Sequence, residues 1–316
     1  MKISVLDAAT LGADIDLSVF SAFGEVAVYP TTSPEEMAAH TKGAEVLVLN
    51  KVKCNGETLK EADSLRLICV AATGYDNIDV AYCRRRGIAV CNVVGYSTDS
   101  VAQLTVSMAL SLCNHLAEYD AYTKSGAYAG GKDANRVSPV YHELRGKTWG
   151  ILGGGNIGKQ VASVAEAFGC RVLVTRRRED EEYPTVSFET LCRESDILSL
   201  HVPLTPETRH MVDAAHLSMM KKDAILINVA RGAVTDEAAV ANAVLTGQIA
   251  AFGCDVYDGE PMRKGHPYEA LLSLPNVILT PHMAWGAYEA RRRCVEEMAE
   301  NIAAFLRGER RFRVDE

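Results

Sequence analysis

The sequence predicts an α/β protein built from two doubly wound parallel-sheet domains of the Rossmann type. Short apolar runs rich in β-branched residues alternate with helical stretches, which is typical of parallel sheets with helices on both faces. A glycine-rich turn follows one strand near the middle of the chain. The 316 residues suit two domains, because a domain commonly holds about 150 residues.

The first run of alternation supplies five strands. One helix is predicted to begin at Ser33, because a capping serine is followed by proline and glutamate in the first turn, and Gly43 is expected to end it. An apolar helix over 101–117 is interrupted by polar residues and is too short to cross a bilayer. The predicted strands are Ile3–Leu6, Glu25–Tyr29, Val46–Leu49, Leu67–Ala71 and Ala89–Asn92.

A second run of alternation begins at Thr148 and supplies six strands, the number in a full dinucleotide-binding domain. Residues 125–139 are rich in glycine and serine and are predicted to link the two runs. A last helix is predicted over about 288–307. The predicted strands are Trp149–Leu152, Arg171–Thr175, Ile197–His201, Ala224–Val229, Ile249–Val256 and Val277–Thr280.

Composition narrows the possible partners. The 33 basic and 41 acidic residues give a net charge of −8, which argues against nucleic acid as the main partner. The nine cysteines include no C-x-x-C pair, so we expect buried thiols in a reducing cytoplasm rather than a metal site or disulfides. Met1 leads directly into a strand-like run, so neither a signal peptide nor a membrane location is expected.

The glycine-rich turn matches the pattern G-x-G-x-x-G between a strand and a helix. Its glycines permit the tight turn, the close approach of backbone amides to a pyrophosphate, and close helix–strand packing. The helix N-terminus then offers its partial positive charge to the phosphates. The motif predicts cofactor contacts at Gly153, Gly155, Asn156, Ile157 and Gly158.

The residues after the second strand of this domain bear on which nicotinamide cofactor is bound. An NAD site usually has an acidic residue there, but this chain has Arg176, Arg177 and Arg178. A guanidinium pairs well with a 2′-phosphate, so we favour NADP over NAD, with Arg176 as the contact. The alternative is a solvated arginine run balanced by the acids at 179–182.

Three polar residues lie at or shortly after late strand ends, where doubly wound folds bind ligands. Arg231, Glu260 and His282 are therefore expected to converge on one cleft. Each of these residues, taken alone, is more often a surface charge or part of a capped turn. For Asp255 the alternative interpretation is a helix cap.

Taken together, these segments resemble the D-2-hydroxyacid dehydrogenase family over essentially the whole chain. Residues 96–103 and 282–285 look most like its glycerate dehydrogenase (hydroxypyruvate reductase) branch. The motifs that carry the resemblance are Ala72–Asp79, Gly153–Gly158, His201–Thr205, Asn228–Gly232, Glu260–Pro261 and Pro281–His282.

The resemblance implies a flavodoxin-like substrate domain made of residues 1–98 and 289–316, and an NAD(P)-binding domain of residues 99–288. A helix over 99–118 would join them, with a cleft between. Proteins of this family are usually homodimers through the cofactor domains, so a homodimer is expected.

The resemblance also implies hydride transfer between the cofactor and a small D-2-hydroxy or 2-oxo acid. His282 would be the acid–base group, since histidine titrates near pH 6.5, and Glu260 would favour its protonated form. Arg231 would bind the substrate carboxylate, with backbone amides near Gly74. Further contacts implied or expected are Thr105, His201, Pro203, Val229, Ala230 and Asp255 for the cofactor, and Trp285 for either the substrate pocket or the core.

Two other functions share this scaffold. In formate dehydrogenases of the family the acid paired with the histidine is replaced by glutamine, so Glu260 argues against that reaction, and phosphonate dehydrogenases are a related alternative. A cofactor-sensing regulator keeps the same triad; a regulatory tail would favour it, and none is expected after Arg307.

Overall fold

The computed structural model describes residues 1–177 and 183–315. These residues form two compact units: Met1–Ser97 with the segment from Trp285 onwards, and Thr98–Ala284. The structure assigns residues 285–288 to the first unit, whereas the sequence prediction placed them in the cofactor domain.

The first unit is built on a parallel sheet with the strand order β2-β1-β3-β4-β5, which is the flavodoxin-like doubly wound order. Its inner strands are apolar on both sides because helices and turns cover both faces of the sheet. The elements are β1 (Lys2–Val5), β2 (Glu25–Val28), α1 (Met37–Thr41), β3 (Val46–Leu49), β4 (Leu67–Val70), α2 (Val80–Arg85) and β5 (Ala89–Cys91).

The second unit is built on a parallel sheet with the order β11-β10-β9-β8-β6-β7. A parallel bridge between Val174 and Thr185 extends the β7 edge, which gives the strand order of a dinucleotide-binding domain. The elements are α3 (Thr98–Cys113), α4 (Leu116–Lys124), β6 (Thr148–Leu152), α5 (Asn156–Ala167), β7 (Arg171–Thr175), α6 (Phe188–Glu194), β8 (Ile197–Leu200), α7 (Ala214–Met219), β9 (Ile225–Asn228), α8 (Glu237–Leu245), β10 (Ala251–Cys254) and β11 (Val277–Leu279).

The last helix, α9 (Tyr288–Leu306), belongs to the first unit. Ala290, Cys294, Met298 and Ile302 recur every fourth residue and pack into the core of that unit. This spacing keeps one stripe of the helix apolar, and burial of the stripe fixes the helix against the sheet.

The predicted fold class and the eleven predicted strands are confirmed, with strand ends that differ by at most two residues. The predicted helix start at Ser33 was wrong. Ser33 N donates to Glu36 Oε2 at 2.9 Å and Glu36 N donates to Ser33 O at 3.1 Å. These bonds close a turn, and α1 begins only at Met37.

The prediction of one helix over 99–118 was also wrong. α3 ends at Cys113, and α4 begins at Leu116. His115 between them has φ +48°, a left-handed conformation that an α-helix of L-residues does not sustain.

All nine cysteines are free thiols, and eight of them are buried. Within the described ranges, no helix combines the length and apolar character needed to cross a membrane. The same ranges hold no group of three or more His, Cys, Asp or Glu side chains placed to bind a metal ion.

Candidate active site

The turn between β6 and α5 is tight because two of its glycines leave no room for a side chain. Gly153 has φ +106°, and a Cβ there would lie 2.6 Å from the carbonyl oxygen of His201. A Cβ on Gly158 would lie 2.0 Å from the carbonyl oxygen of Gly153. The first turn of α5 therefore packs directly against the strand ends.

Gly155 differs from these glycines because a Cβ there would meet nothing within 4 Å. It is the N-cap of α5 and carries no capping side chain. The first amides of a helix have no partner within the helix, so Asn156, Ile157 and Gly158 direct N–H donors at this open space. The turn therefore fits the pyrophosphate of a dinucleotide.

Arg176 is the first residue after β7 and lies beside this turn. A Cβ on Gly154 would come within 3.0 Å of its Cδ. Its Nε donates to Thr185 Oγ1 at 3.0 Å and its Nη2 donates to the Tyr183 carbonyl at 2.7 Å. Arg177 is exposed, 3.5 Å from Glu207. Arg178 and the acids at 179–182 lie outside the described residues.

His201 follows β8, and its backbone borders the glycine turn. Trp149 Nε1 donates to Ser199 Oγ at 3.0 Å, and Ser199 Oγ lies 3.0 Å from His201 Nε2. Burial lowers the pKa of His201 to about 3, so the ring is neutral and does not serve as a proton donor at neutral pH.

The other predicted cofactor contacts differ in accessibility. Thr105 is fully buried in α3 and its hydroxyl donates to the Val101 carbonyl at 2.8 Å, so its proton is used within the helix. Val229 and Ala230 are buried directly after β9. Pro203 is exposed, and its carbonyl accepts from Thr208 Oγ1 at 2.7 Å.

Three adjacent strands bring Arg231, Glu260 and His282 to one edge of the sheet. β9, β10 and β11 are parallel neighbours, and the three residues follow them in turn. Asn228 Nδ2 donates to the Arg231 carbonyl at 3.0 Å, and Arg231 Nη1 donates to the Ala230 carbonyl at 2.8 Å.

Glu260 and His282 form a direct pair. His282 Nδ1 lies 2.6 Å from Glu260 Oε2, and the two side chains are 24% and 29% exposed. His282 has φ +51°, an unusual conformation for a non-glycine residue and one that clusters at functional sites. Since Nδ1 faces Glu260, Nε2 is the ring nitrogen available to a substrate oxygen.

Asp255 holds the backbone on both sides of His282. Its carboxylate accepts from Thr280 Oγ1 at 2.6 Å, Met283 N at 2.8 Å and Ala284 N at 2.8 Å. The residue is fully buried, and burial raises the pKa of its carboxyl while the donated hydrogen bonds oppose that shift. Sequence analysis predicted only a cofactor contact or a helix cap and missed this clamp.

A close backbone contact joins the loops after β9 and β10. A Cβ on Gly232 would lie 2.0 Å from the carbonyl carbon of Tyr257 and 2.1 Å from Asp258 N. Tyr257 N in turn donates to Glu260 Oε1 at 3.2 Å. The residue after Arg231 therefore has to be small for the Glu260 loop to take its position. The sequence contains the glycine, but it does not indicate that the glycine packs against the backbone of Tyr257 and Asp258.

Gly74 and Trp285 lie in the first unit. Gly74 is in the loop after β4, where Thr73 Oγ1 donates to the Val93 carbonyl at 2.8 Å. Trp285 packs against the core of that unit and meets the Tyr96 ring edge-on, with centroids 6.3 Å apart. Within the first unit Trp285 therefore contributes to core packing.

Comparison with known proteins decides the family. Residues 106–284 match the model of the D-isomer specific 2-hydroxyacid dehydrogenase, NAD binding domain. The chain belongs to the D-2-hydroxyacid dehydrogenase family. It is therefore an oxidoreductase that transfers hydride between a nicotinamide cofactor and small 2-hydroxy or 2-oxo acids, as predicted.

Curated relatives match nearly the whole chain. The glycerate dehydrogenase of Methylorubrum extorquens is 36% identical, covering 97% of this chain and 96% of that protein. The glyoxylate reductase of Aeropyrum pernix is 38% identical, covering 92% of this chain and 90% of that protein. A solved acyclic imino acid reductase, Bsp5 in complex with NADPH and D-Arg, is 28% identical with a TM-score of 0.89, covering 99% of this chain and all of that chain.

Proposed function

We propose that this enzyme reduces short 2-oxo acids of the hydroxypyruvate and glyoxylate type to D-2-hydroxy acids, with NADPH as the preferred cofactor. The Glu260–His282 pair at the carboxyl edge of the sheet is the observation that carries the proposal. Glycerate dehydrogenase and glyoxylate reductase among the relatives support this substrate class.

The amides at the start of α5 would hold the pyrophosphate of the cofactor, and the backbone around His201–Pro203 would border its adenosine. When bound, the nicotinamide supplies the hydride for reduction and accepts it for oxidation. Asp255 is a positioning residue, because its three hydrogen bonds fix the segment that carries His282.

His282 holds the proton that the substrate carbonyl oxygen gains on reduction. Glu260 faces Nδ1 and fixes the ring so that Nε2 donates. In the oxidation direction the neutral ring accepts the proton from the hydroxyl at the same nitrogen. The half-buried position of the pair lets substrate reach it while limiting competition from water.

Arg231 binds the substrate carboxylate through its planar guanidinium, which matches a carboxylate in a way that lysine does not. Two hydrogen bonds hold it in place, one to its carbonyl from Asn228 and one from its Nη1 to Ala230.

The preference for NADPH rests on Arg176. The residue stands directly after β7, beside the glycine turn, at the position where an NAD enzyme usually has a carboxylate. A guanidinium here attracts a 2′-phosphate, and the absence of an acid at this position removes the usual partner of a free 2′-hydroxyl.

We also propose a homodimer formed through the second unit. Residues of α4 are not buried within the described chain, and the segment that follows exposes large apolar side chains. Monomeric proteins rarely leave such a surface open, and a second copy related by a twofold axis covers it symmetrically. The exposed apolar residues are Leu116, Tyr128, Val137, Val140 and Tyr141. Light scattering of V137D/V140D would show monomers where the wild type is dimeric, and a monomeric wild type would refute the proposal.

A cytoplasmic location is proposed because all nine cysteines are free thiols. Fractionation of the native host with a thiol count tests it, and recovery from an oxidising compartment would contradict it.

Steady-state reduction of glyoxylate, hydroxypyruvate, pyruvate and phenylpyruvate, each with NADH and NADPH, tests the proposed function. We expect the highest kcat/KM with the two short substrates, glyoxylate and hydroxypyruvate, and with NADPH. No reduction of any of the four, or a clear preference for phenylpyruvate, would refute the substrate proposal.

A further inference from the structure

A second carboxylate–imidazole pair, Glu237–His266, lies against the loop that carries Glu260. Glu237 opens α8, and His266 caps the short 3-10 helix Pro267–Leu271. Glu237 Oε2 lies 2.8 Å from His266 Nε2, and the two side chains are only 9% and 7% exposed. An ionisable pair this deeply buried is costly to maintain, so it calls for a specific role.

Hydrogen bonds from two backbone N–H groups orient the His266 ring and the Glu237 carboxylate. His266 Nδ1 accepts from Tyr268 N at 3.2 Å, which places the ring proton on Nε2, facing Glu237. Glu237 Oε1 accepts from Asp258 N at 2.9 Å. Glu237 Oε2 therefore lies beside the imidazole, while Oε1 accepts a hydrogen bond from the backbone of the loop that carries Glu260, two residues before Glu260.

Tyr257 connects this pair to both members of the catalytic pair. Its ring meets the His266 ring edge-on, with centroids 5.8 Å apart. Its backbone N–H donates to Glu260 Oε1 at 3.2 Å, and its hydroxyl donates to the Thr280 carbonyl at 2.9 Å. Thr280 stands two residues before His282. One side chain thus ties the Glu260 loop to the His282 loop.

We propose that Glu237 and His266 are positioning residues for the proposed reaction, acting through Tyr257 to hold Glu260 and His282 in contact. The inference rests on the proposed function. Neither residue is placed to touch the reacting atoms. Their effect is on geometry, and misplacement of catalytic groups by about 1 Å can cost as much as about 100-fold in rate.

The pH dependence of this region involves several groups besides the two pairs. They face the Glu237–His266 and Glu260–His282 pairs from four places: the end of β10, the loop that carries Glu260, the loop before α7 and the 3-10 helix Pro267–Leu271. These groups are Cys254, Asp255, Tyr257, Asp258 with its ion-pair partner Arg209, and Tyr268.

Two variants test the inference, and one matched variant controls for it. Glu237→Gln keeps the shape of the side chain and removes its charge, and Tyr257→Phe removes only the hydroxyl bond to Thr280. The control is Asp213→Asn, which alters a different carboxylate–imidazole pair, Asp213–His216, also 2.8 Å apart, at the start of α7.

For both test variants we expect kcat for reduction to fall between about 10-fold and 100-fold. The Kd for NADPH, measured by fluorescence, should stay within about twofold, since the cofactor turn is unchanged. The reductive pH profile should also change shape, because the contact between Glu260 and the ring that donates the proton is disturbed. Asp213→Asn should leave kcat and the profile unchanged.

Retention of wild-type kcat and pH profile by both variants would overturn the inference. Parallel loss of NADPH binding and of thermal stability would also overturn it, because that result marks a structural role. If wild-type protein reduces no 2-oxo acid, the proposed function fails, and this inference fails with it. An active wild type with unaffected Glu237→Gln and Tyr257→Phe variants refutes the inference alone.

Discussion

The glycine turn of Gly153–Gly158 and the proposed catalytic loops, residues 255–260 and 280–284, form their sites in different ways. The turn consists of backbone within six consecutive residues, and its steric needs are met by neighbouring strand ends. The catalytic loops depend on side chains, and buried carboxylates fix them across separate strands. Substitutions far along the chain should therefore affect the glycine turn little. The Glu260–His282 pair, in contrast, depends on contacts with residues that are remote in sequence.

Removal of the proposed proton donor should abolish most catalysis in the loops and leave cofactor binding at the glycine turn unchanged. His282→Gln should lower kcat for reduction by about 10²- to 10⁴-fold, the usual contribution of a positioned acid–base group. NADPH binding, followed by fluorescence, should be unchanged. His216→Gln, at a histidine in another imidazole–carboxylate pair, is the control and should keep full activity. Near-normal turnover of His282→Gln would remove this residue from the mechanism.

A pair of glycine substitutions compares the two regions directly. Gly232→Ala forces a Cβ to within 2.0 Å of the Tyr257 backbone and should displace the Glu260 loop, with a stability loss of about 1–3 kcal/mol. We expect kcat to fall up to about 100-fold, because the Glu260–His282 contact is disturbed.

Gly155→Ala meets no neighbour within 4 Å, so it should lose only the preference of an N-cap for glycine over alanine and be destabilised less than Gly232→Ala. Its Cβ enters the space assigned to the pyrophosphate, so the Kd for NADPH should rise. Equal destabilisation by the two alanines would contradict the steric difference between the regions. Unchanged cofactor affinity of Gly155→Ala would contradict the assignment of the turn.

A substitution beside the glycine turn tests which cofactor this region prefers. Arg176→Asp should reverse the preference from NADPH to NADH, because the carboxylate repels a 2′-phosphate and accepts from a 2′-hydroxyl. A charge-assisted hydrogen bond of about 1.5–3 kcal/mol corresponds to a wild-type preference of roughly 10- to 150-fold. Arg177→Asp, at an exposed neighbour, is the matched control. Equal use of both cofactors by the wild type would refute the role of Arg176.

The features that could be predicted from the sequence were those determined by neighbouring residues in the chain. Apolar periodicity predicted the strands, and the glycine spacing predicted the turn before α5. The break at His115 was missed because a left-handed residue other than glycine leaves no pattern in the sequence. Asp255 was located, but its hydrogen bonds to residues 280–284 arise only when β10 and β11 pair. Glu237 and His266 were missed for the same reason, since 28 intervening residues separate two charges that meet in the fold.

The central claim is that the Glu260–His282 pair supplies and accepts the proton that accompanies hydride transfer. The most direct test is kcat/KM against pH for 2-oxo acid reduction and for D-2-hydroxy acid oxidation, in the wild type and in His282→Gln. Wild-type reduction should slow as the pH rises, because the imidazolium loses its proton, and oxidation should speed up over the same interval. The residual activity of His282→Gln should lose both dependences. A His282→Gln enzyme that keeps the wild-type pH profiles would contradict the claim.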